Sequence, residues 1–175
     1  MLRRFRTDRR GVAAVEFALL APVVIVTYCG LAEVSIAMMA ERRAAHTASV
    51  IGDLVAQSSS LDTTQLGDIF SVATAIMAPF PSAPLKLRVT SVTADSTGSP
   101  KVAWSQGSGI AAMTKTATVA GFPPNLLVAG DSLVQADVQY TFTSPLRYVM
   151  RNPIVFSDTF YLKPRAGGAV ACATC

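Results

Sequence analysis

From Val12 to Ala32 the chain is an unbroken apolar run with Glu16 as its only charged side chain. A bilayer core of about 30 Å is crossed by about 20 helical residues, so this run is long enough to span. Glu16 is the anomaly. An ionisable residue at the centre of a transmembrane helix costs roughly 2.5–3.5 kcal/mol even on lenient scales. A plain signal peptide or membrane anchor has no need for one.

Charge decides the expected orientation. Arg3, Arg4, Arg6, Arg9 and Arg10 stand against Asp8 before Gly11, and little positive charge follows the apolar run until Arg42. That asymmetry predicts a cytoplasmic N-terminus and an exported remainder. From Gly11 onward ten Lys/Arg face ten Asp/Glu, so the sequence pI near 9.2 belongs to the leader. A nucleic-acid binder needs a basic face in its folded part, and none is visible.

An ordinary cleaved signal fits less well. Its apolar region is usually about 7–15 residues long. Here Glu33-Val34-Ser35-Ile36-Ala37-Met38-Met39 continues a helical pattern beyond the run. A lipoprotein box fails because Tyr28 precedes Cys29, and Arg3-Arg4 is a poor twin-arginine match. Cys29 reads as a small packing residue. Cys172 and Cys175 form a terminal C-x-x-C, either a small disulfide or two disordered thiols. A zinc site is disfavoured, since His46 is the one histidine and four ligands are wanted.

At 175 residues the chain holds one modest domain besides its N-terminus. The N-terminal helix is expected to continue past the membrane to about Ala56, with Ile36, Ala40, Arg43, Thr47, Val50, Ile51 and Leu54 at helical spacing. Pro22 predicts a kink. Ser58-Ser59-Ser60 ends it. Asp62 or Thr63 caps a second helix reaching about Ala78, with Leu66, Ile69, Phe70, Ala73, Ile76 and Met77 as its apolar stripe. Pro79, Pro81 and Pro84 stop it. Strands are expected over Leu85–Ala94, Lys101–Gln106, Ser132–Thr143 and Ile154–Leu162, the first two as a hairpin with a longer loop. Gly107–Thr118 gives no clear signal. The layout is then a basic leader over 1–11, a transmembrane and extended helix over 12–57, an exported domain over 58–165 and a flexible tail over 166–175. The fold class is α+β, with a long N-terminal transmembrane helix extending into a small exported domain that has an antiparallel sheet and one packing helix.

Gly11-Val12-Ala13-Ala14-Val15-Glu16-Phe17 resembles the processing site of type IV pilin-like proteins. The wider string RRGVAAVEFALLAPVVIV is similar to the start of the TadE/TadG family of pilus-assembly proteins. Val102-Ala103-Trp104-Ser105, Gly130-Asp131-Ser132-Leu133-Val134 with Asp137-Val138-Gln139-Tyr140, and Phe160-Tyr161-Leu162-Lys163-Pro164-Arg165 are similar to recurring segments of that family. Asp137 stands where glutamate is frequent there. The resemblance implies a minor pilin or pseudopilin acting in assembly of a tight-adherence pilus. A prepilin peptidase would cut between Gly11 and Val12. Glu16 would then pair with the new α-amino group of a neighbouring subunit, with Phe17 beside it in the docking surface. The other implied partners are pilin-like subunits, the inner-membrane assembly platform and the lipid bilayer, in a single-pass bacterial inner-membrane protein with a periplasmic C-terminal domain. No cofactor, metal or nucleic acid is implied.

Rival readings are a pseudopilin of a secretion system and a signal-anchored periplasmic binding or hydrolase domain. The hydrolase needs convergent titratable groups in a pocket. No G-x-S-x-G elbow, P-loop, dinucleotide fingerprint or calcium loop occurs. His46 reads as a solvated surface residue and Glu33 as solvated or facing lipid headgroups. Glu16 itself can be a register device or a carboxylate lying near the interface. Trp104, Tyr140 and Tyr148 can be core or a sugar-binding face, and core is the commoner use of such aromatics.

Overall fold

The structure is a computed structural model and describes residues 11–175. In chain order it holds α1 (Val12–Gln57), β1 (Ser60–Leu61), α2 (Thr63–Ile76), β2 (Leu85–Ala94), β3 (Pro100–Ser108), β4 (Ser132–Phe142), β5 (Ile154–Leu162) and β6 (Ala171–Cys172). The fold is α+β with one long apolar helix, a second helix and a four-stranded antiparallel sheet. Two compact units divide the chain. One takes residues up to Met38 with Thr143–Pro153. The other takes Met39–Phe142 with Ile154–Cys175. From Met39 onward the helix thus belongs to the same unit as the sheet.

In the sheet unit the strand order is β3-β2-β4-β5. β2 pairs with β4 from Leu85↔Tyr140 to Thr93↔Ser132, and β4 with β5 from Val134↔Leu162 to Phe142↔Ile154. The second half of α1 buries Ala40, Ala44, Ala48, Ile51, Val55 and Ala56. Small residues let a helix backbone approach a surface already filled by large side chains. At Gly52 the approach is closest: an added Cβ would lie 2.6 Å from Leu162 Cδ1 and 3.0 Å from the Ala136 Cβ. This corrects the expected stripe. Arg43 is exposed and donates to the Ile76 carbonyl oxygen, while alanines make the seam.

α2 starts at a capping box, in which the cap side chain and the third helical residue satisfy each other's backbone donors. The Asp62 carboxylate accepts the Gln65 N–H at 2.7 Å, and the Gln65 side chain accepts the Asp62 N–H at 3.0 Å. Leu66, Ala73 and Met77 are buried, in line with the expected stripe, although the helix ends at Ile76.

The long connection between β3 and β4 carried no clear pattern, yet it contributes to a second core. Met113, Phe122 and Leu127 pack against Val92, Val102 and Val119, and Phe122 meets Tyr161 edge-on at 5.0 Å. The interleaved polar residues of β4 are affected accordingly. Gln139 is exposed, but Gln135 and Asp137 are buried. Asp137 lies opposite Arg88 and Thr159 in the ladder. Its Oδ2 accepts Arg88 Nε at 2.9 Å and Nη2 at 2.8 Å. Its Oδ1 accepts Gln135 Nε2 at 2.9 Å and Thr159 Oγ1 at 2.8 Å.

The C-terminal segment is not the free tail that its glycines suggest. Gly167 and Gly168 both take a left-handed backbone with positive φ. Glycine adopts it at little cost. Val170 is buried, and its carbonyl accepts the Trp104 indole N–H at 2.7 Å. A buried indole N–H needs such an acceptor. β6 then pairs in parallel with β1, Ser60↔Ala171 and Leu61↔Cys172. Cys172 and Cys175 are disulfide-bonded. Trp104 and Tyr140 are core residues, and the Tyr140 hydroxyl donates to the Pro81 carbonyl at 3.1 Å.

Candidate functional site

The first turns of α1 carry the residues singled out by sequence. The Val15 N–H bonds the Gly11 carbonyl at 3.1 Å, so Gly11 opens the helix. Nothing lies within 4 Å of a Cβ built at Gly11, and its φ lies outside the left-handed region. No steric or backbone demand within the described residues requires glycine there. Val12 and Glu16 stand four residues apart, hence on one helix face. Both are exposed, and Phe17 is 73% exposed. Among the described residues Glu16 forms no ion pair. Arg3, Arg4, Arg6, Arg9 and Arg10 lie outside the described residues.

Beyond this start the helix stays apolar and uncovered. Leu19, Leu20, Val23, Val24, Ile25, Tyr28 and Leu31 are all exposed, and they point to every side. A helix that is apolar all round needs lipid or neighbouring helices about it. By length and composition α1 is the one described helix fit to cross a membrane, which is compatible with single-pass anchoring. The helix is continuous through Pro22.

Glu33 departs from expectation. It is fully buried, not solvated or turned to headgroups. Its Oε1 accepts the Tyr148 N–H at 2.6 Å. Its Oε2 accepts the N–H groups of Val149 at 3.0 Å and Met150 at 2.7 Å. Three successive amides thus form a concave cradle for the carboxylate. Neighbouring Ser144 is also buried, and its hydroxyl accepts the Arg147 N–H at 3.3 Å. A carboxylate is acceptor-only, which matches three donors. A signal for this was present. Glu33, Ala37, Ala40 and Ala44 follow one another at helical spacing, so Glu33 stands in register with the buried stripe.

Neither the disulfide nor His46 joins these groups. Cys172–Cys175 lies in the sheet unit, and His46 is exposed beside Arg42 and Phe80 along an open cleft. Among the described residues no three His, Cys, Asp or Glu side chains cluster as metal ligands would.

The helix α1 thus opens at a glycine, carries a carboxylate one turn in and leaves its first turns uncovered among the described residues. Residues 11–52 match the model of the TadE-like protein family. The TadE-like match covers the apolar run, Glu16, Glu33 and the alanine seam up to Gly52. It supports a protein related to the tight-adherence pilus. The distal segments around Trp104, Asp137 and Phe160 lie outside it. No curated protein matches the chain, and no solved structure does.

Proposed function

We propose that this protein is a pilin-like subunit, a minor pilin or pseudopilin, acting in assembly of a tight-adherence pilus. The observation that carries the reading is the uncovered apolar helix with Gly11 at its start and Glu16 one turn in. Gly11 answers to no steric need within the described residues, and a peptidase that must reach an unhindered backbone supplies one. Cleavage after Gly11 leaves an α-amino group on Val12. In a bundle of such helices Glu16 of one copy meets that amino group on another. Losing either partner would leave an isolated charge in a desolvated place, which is strongly unfavourable. The pair therefore fixes register between subunits. The arginine leader holds the N-terminus in the cytoplasm, and the sheet unit faces the periplasm or the filament surface. Prepilin peptidase, other pilin-like subunits and the inner-membrane platform are the partners on this reading.

Intact mass and N-terminal sequencing of protein extracted from membranes test it. The mature chain should begin at Val12. Gly11→Leu should leave the full-length chain. Glu16→Leu should insert as well as the parent or better, since it removes a costly charge, yet abolish piliation. A chain that still begins at Met1 or Leu2, in cells that make pili without Glu16, overturns the reading.

A further inference from the structure

The β4–β5 connection, Thr143–Pro153, belongs to the same compact unit as the apolar half of α1. It is pinned there at two points. The Glu33 carboxylate holds the amides of Tyr148, Val149 and Met150. Val149 also lies against the helix backbone, for a Cβ added at Gly30 would sit 3.2 Å from its Cγ2. Gly30 falls inside the apolar run and is about 4.5 Å along the axis from Glu33, at about 1.5 Å per residue. The connection is thus fixed level with the end of the run that emerges from a bilayer.

What it turns outward is unusual for a pinned loop. Leu146, Tyr148 and Val149 are 51%, 59% and 55% exposed. Arg147 and Arg151 are exposed among them, and neither forms an ion pair among the described residues. We infer that residues 146–151 are an interfacial anchor, in which Leu146, Tyr148 and Val149 enter the boundary between headgroups and acyl chains while Arg147 and Arg151 bind headgroup phosphates. The inference rests on the reading that Val12–Ala32 spans the bilayer.

Three features select lipid as the occupant. The exposed apolar surface of the loop continues that of the helix at Gly30. Tyrosine is enriched at the membrane–water boundary, where its ring is buried and its hydroxyl wetted. Arginine reaches phosphate oxygens while its stem covers apolar surface. Glu33 gains a reason as well. A carboxylate at that depth is costly if bare, and the loop amides enclose it. The anchor would set the depth and rotation of the helix, and so the level at which Glu16 is presented.

The test uses the full chain in phosphatidylglycerol-containing vesicles with brominated lipids. Trp104, 4% exposed, gives the baseline emission to be subtracted. Tyr148→Trp reports on the loop and Val24→Trp on the span. The expected result is a blue-shifted Tyr148→Trp emission, quenched most by bromines high on the acyl chains, with Val24→Trp quenched most by deep ones. R147E/R151E in the Tyr148→Trp background should reduce the shallow quenching roughly twofold or more. Unquenched Val24→Trp overturns the membrane reading itself. Quenched Val24→Trp with a water-like Tyr148→Trp overturns the anchor alone. A blue-shifted but unquenched Tyr148→Trp means that protein covers the loop, and likewise overturns it. Quenching indifferent to charge reversal overturns the phosphate contact.

Discussion

From Val12 to Leu31 the helix α1 carries large apolar side chains on every face, and from Met39 to Gln57 it buries a seam of small ones on one. Among the described residues the first half is left uncovered apart from the contact of Val149 at Gly30. The second is covered by a sheet whose own aromatic and aliphatic residues fill the space, so alanine and Gly52 are what fits. Apolarity is common to both halves and does not distinguish them. Side-chain size and the breadth of the apolar face do. A wide face of Leu, Val, Ile and Phe asks for a solvent of acyl chains or sister helices, and a narrow alanine seam asks for one prepared surface.

The sheet unit is most tightly wired at Asp137. Asp137→Ala leaves Arg88 without its carboxylate and frees the Gln135 and Thr159 donors. Breaking a largely buried pair by removing one partner costs about 4 kcal/mol. Denaturant unfolding followed by Trp104 emission should show that loss, while membrane extraction should be unchanged. A loss of anchoring with the sheet unit intact would contradict the separation of the two halves.

The converse change is next in size. Leu20 is exposed, so a water-facing helix would accept Leu20→Arg without effect. In a bilayer the same change costs about 3 kcal/mol of insertion. The fraction of protein resisting carbonate extraction should fall, with Trp104 unfolding at its parental midpoint. Equal extraction for the two proteins would show that lipid is not the solvent of this half.

Much of this division was legible in sequence, for physical reasons that differ by region. Strand ends at Leu85, Ala94, Ile154 and Leu162 match expectation because alternation and flanking turns act locally. The cap was legible only as Asp62 or Thr63, and Gln65 three residues on from Asp62 is what decides between them. Three things were not. Glu33 finds its donors more than a hundred residues along the chain, and only its register with Ala37, Ala40 and Ala44 hinted at burial. Asp137 and Gln135 alternate with apolar residues along β4, and nothing local signals their burial, since the connection that covers them has no period to detect. The last ten residues looked loose because Gly167 and Gly168 read as linker, whereas Val170 supplies the acceptor that Trp104 lacks. Gly11, Val12, Glu16 and Phe17 stand together at the start of α1, and reading them as a processing and docking site belongs to the proposed function.

Gly52→Val sharpens the contrast within the helix. The new side chain meets Leu162 and Ala136. Overpacking of this kind costs about 1–3 kcal/mol. Gly67→Ala is its control in α2, where nothing lies within 4 Å of the added Cβ. There the helix should gain slightly, since alanine is the better helix former. Thermal unfolding of the two variants should move in opposite directions. A neutral Gly52→Val would mean that the second half of α1 is not held to the sheet as closely as the alanine seam implies.

The smallest effect tests how local the sheet unit's helix start is. Asp62→Ala removes the acceptor for the Gln65 N–H. An N-cap loss typically costs about 1 kcal/mol. The loss should not exceed that here, because α2 has a second source of capping. The Thr63 N–H donates to Thr174 Oγ1 at 3.0 Å, and the two threonine hydroxyls lie 3.2 Å apart. That contact comes from the disulfide-closed end of the chain, next to β6. Thr174→Val should therefore leave Asp62 as the sole side-chain cap, and the double variant should cost more than the two single losses added together. Groups that fix the same first helical turn couple through its backbone, whereas independent sites add. Strict additivity in a double-mutant cycle would show that the C-terminal segment does not help to start α2.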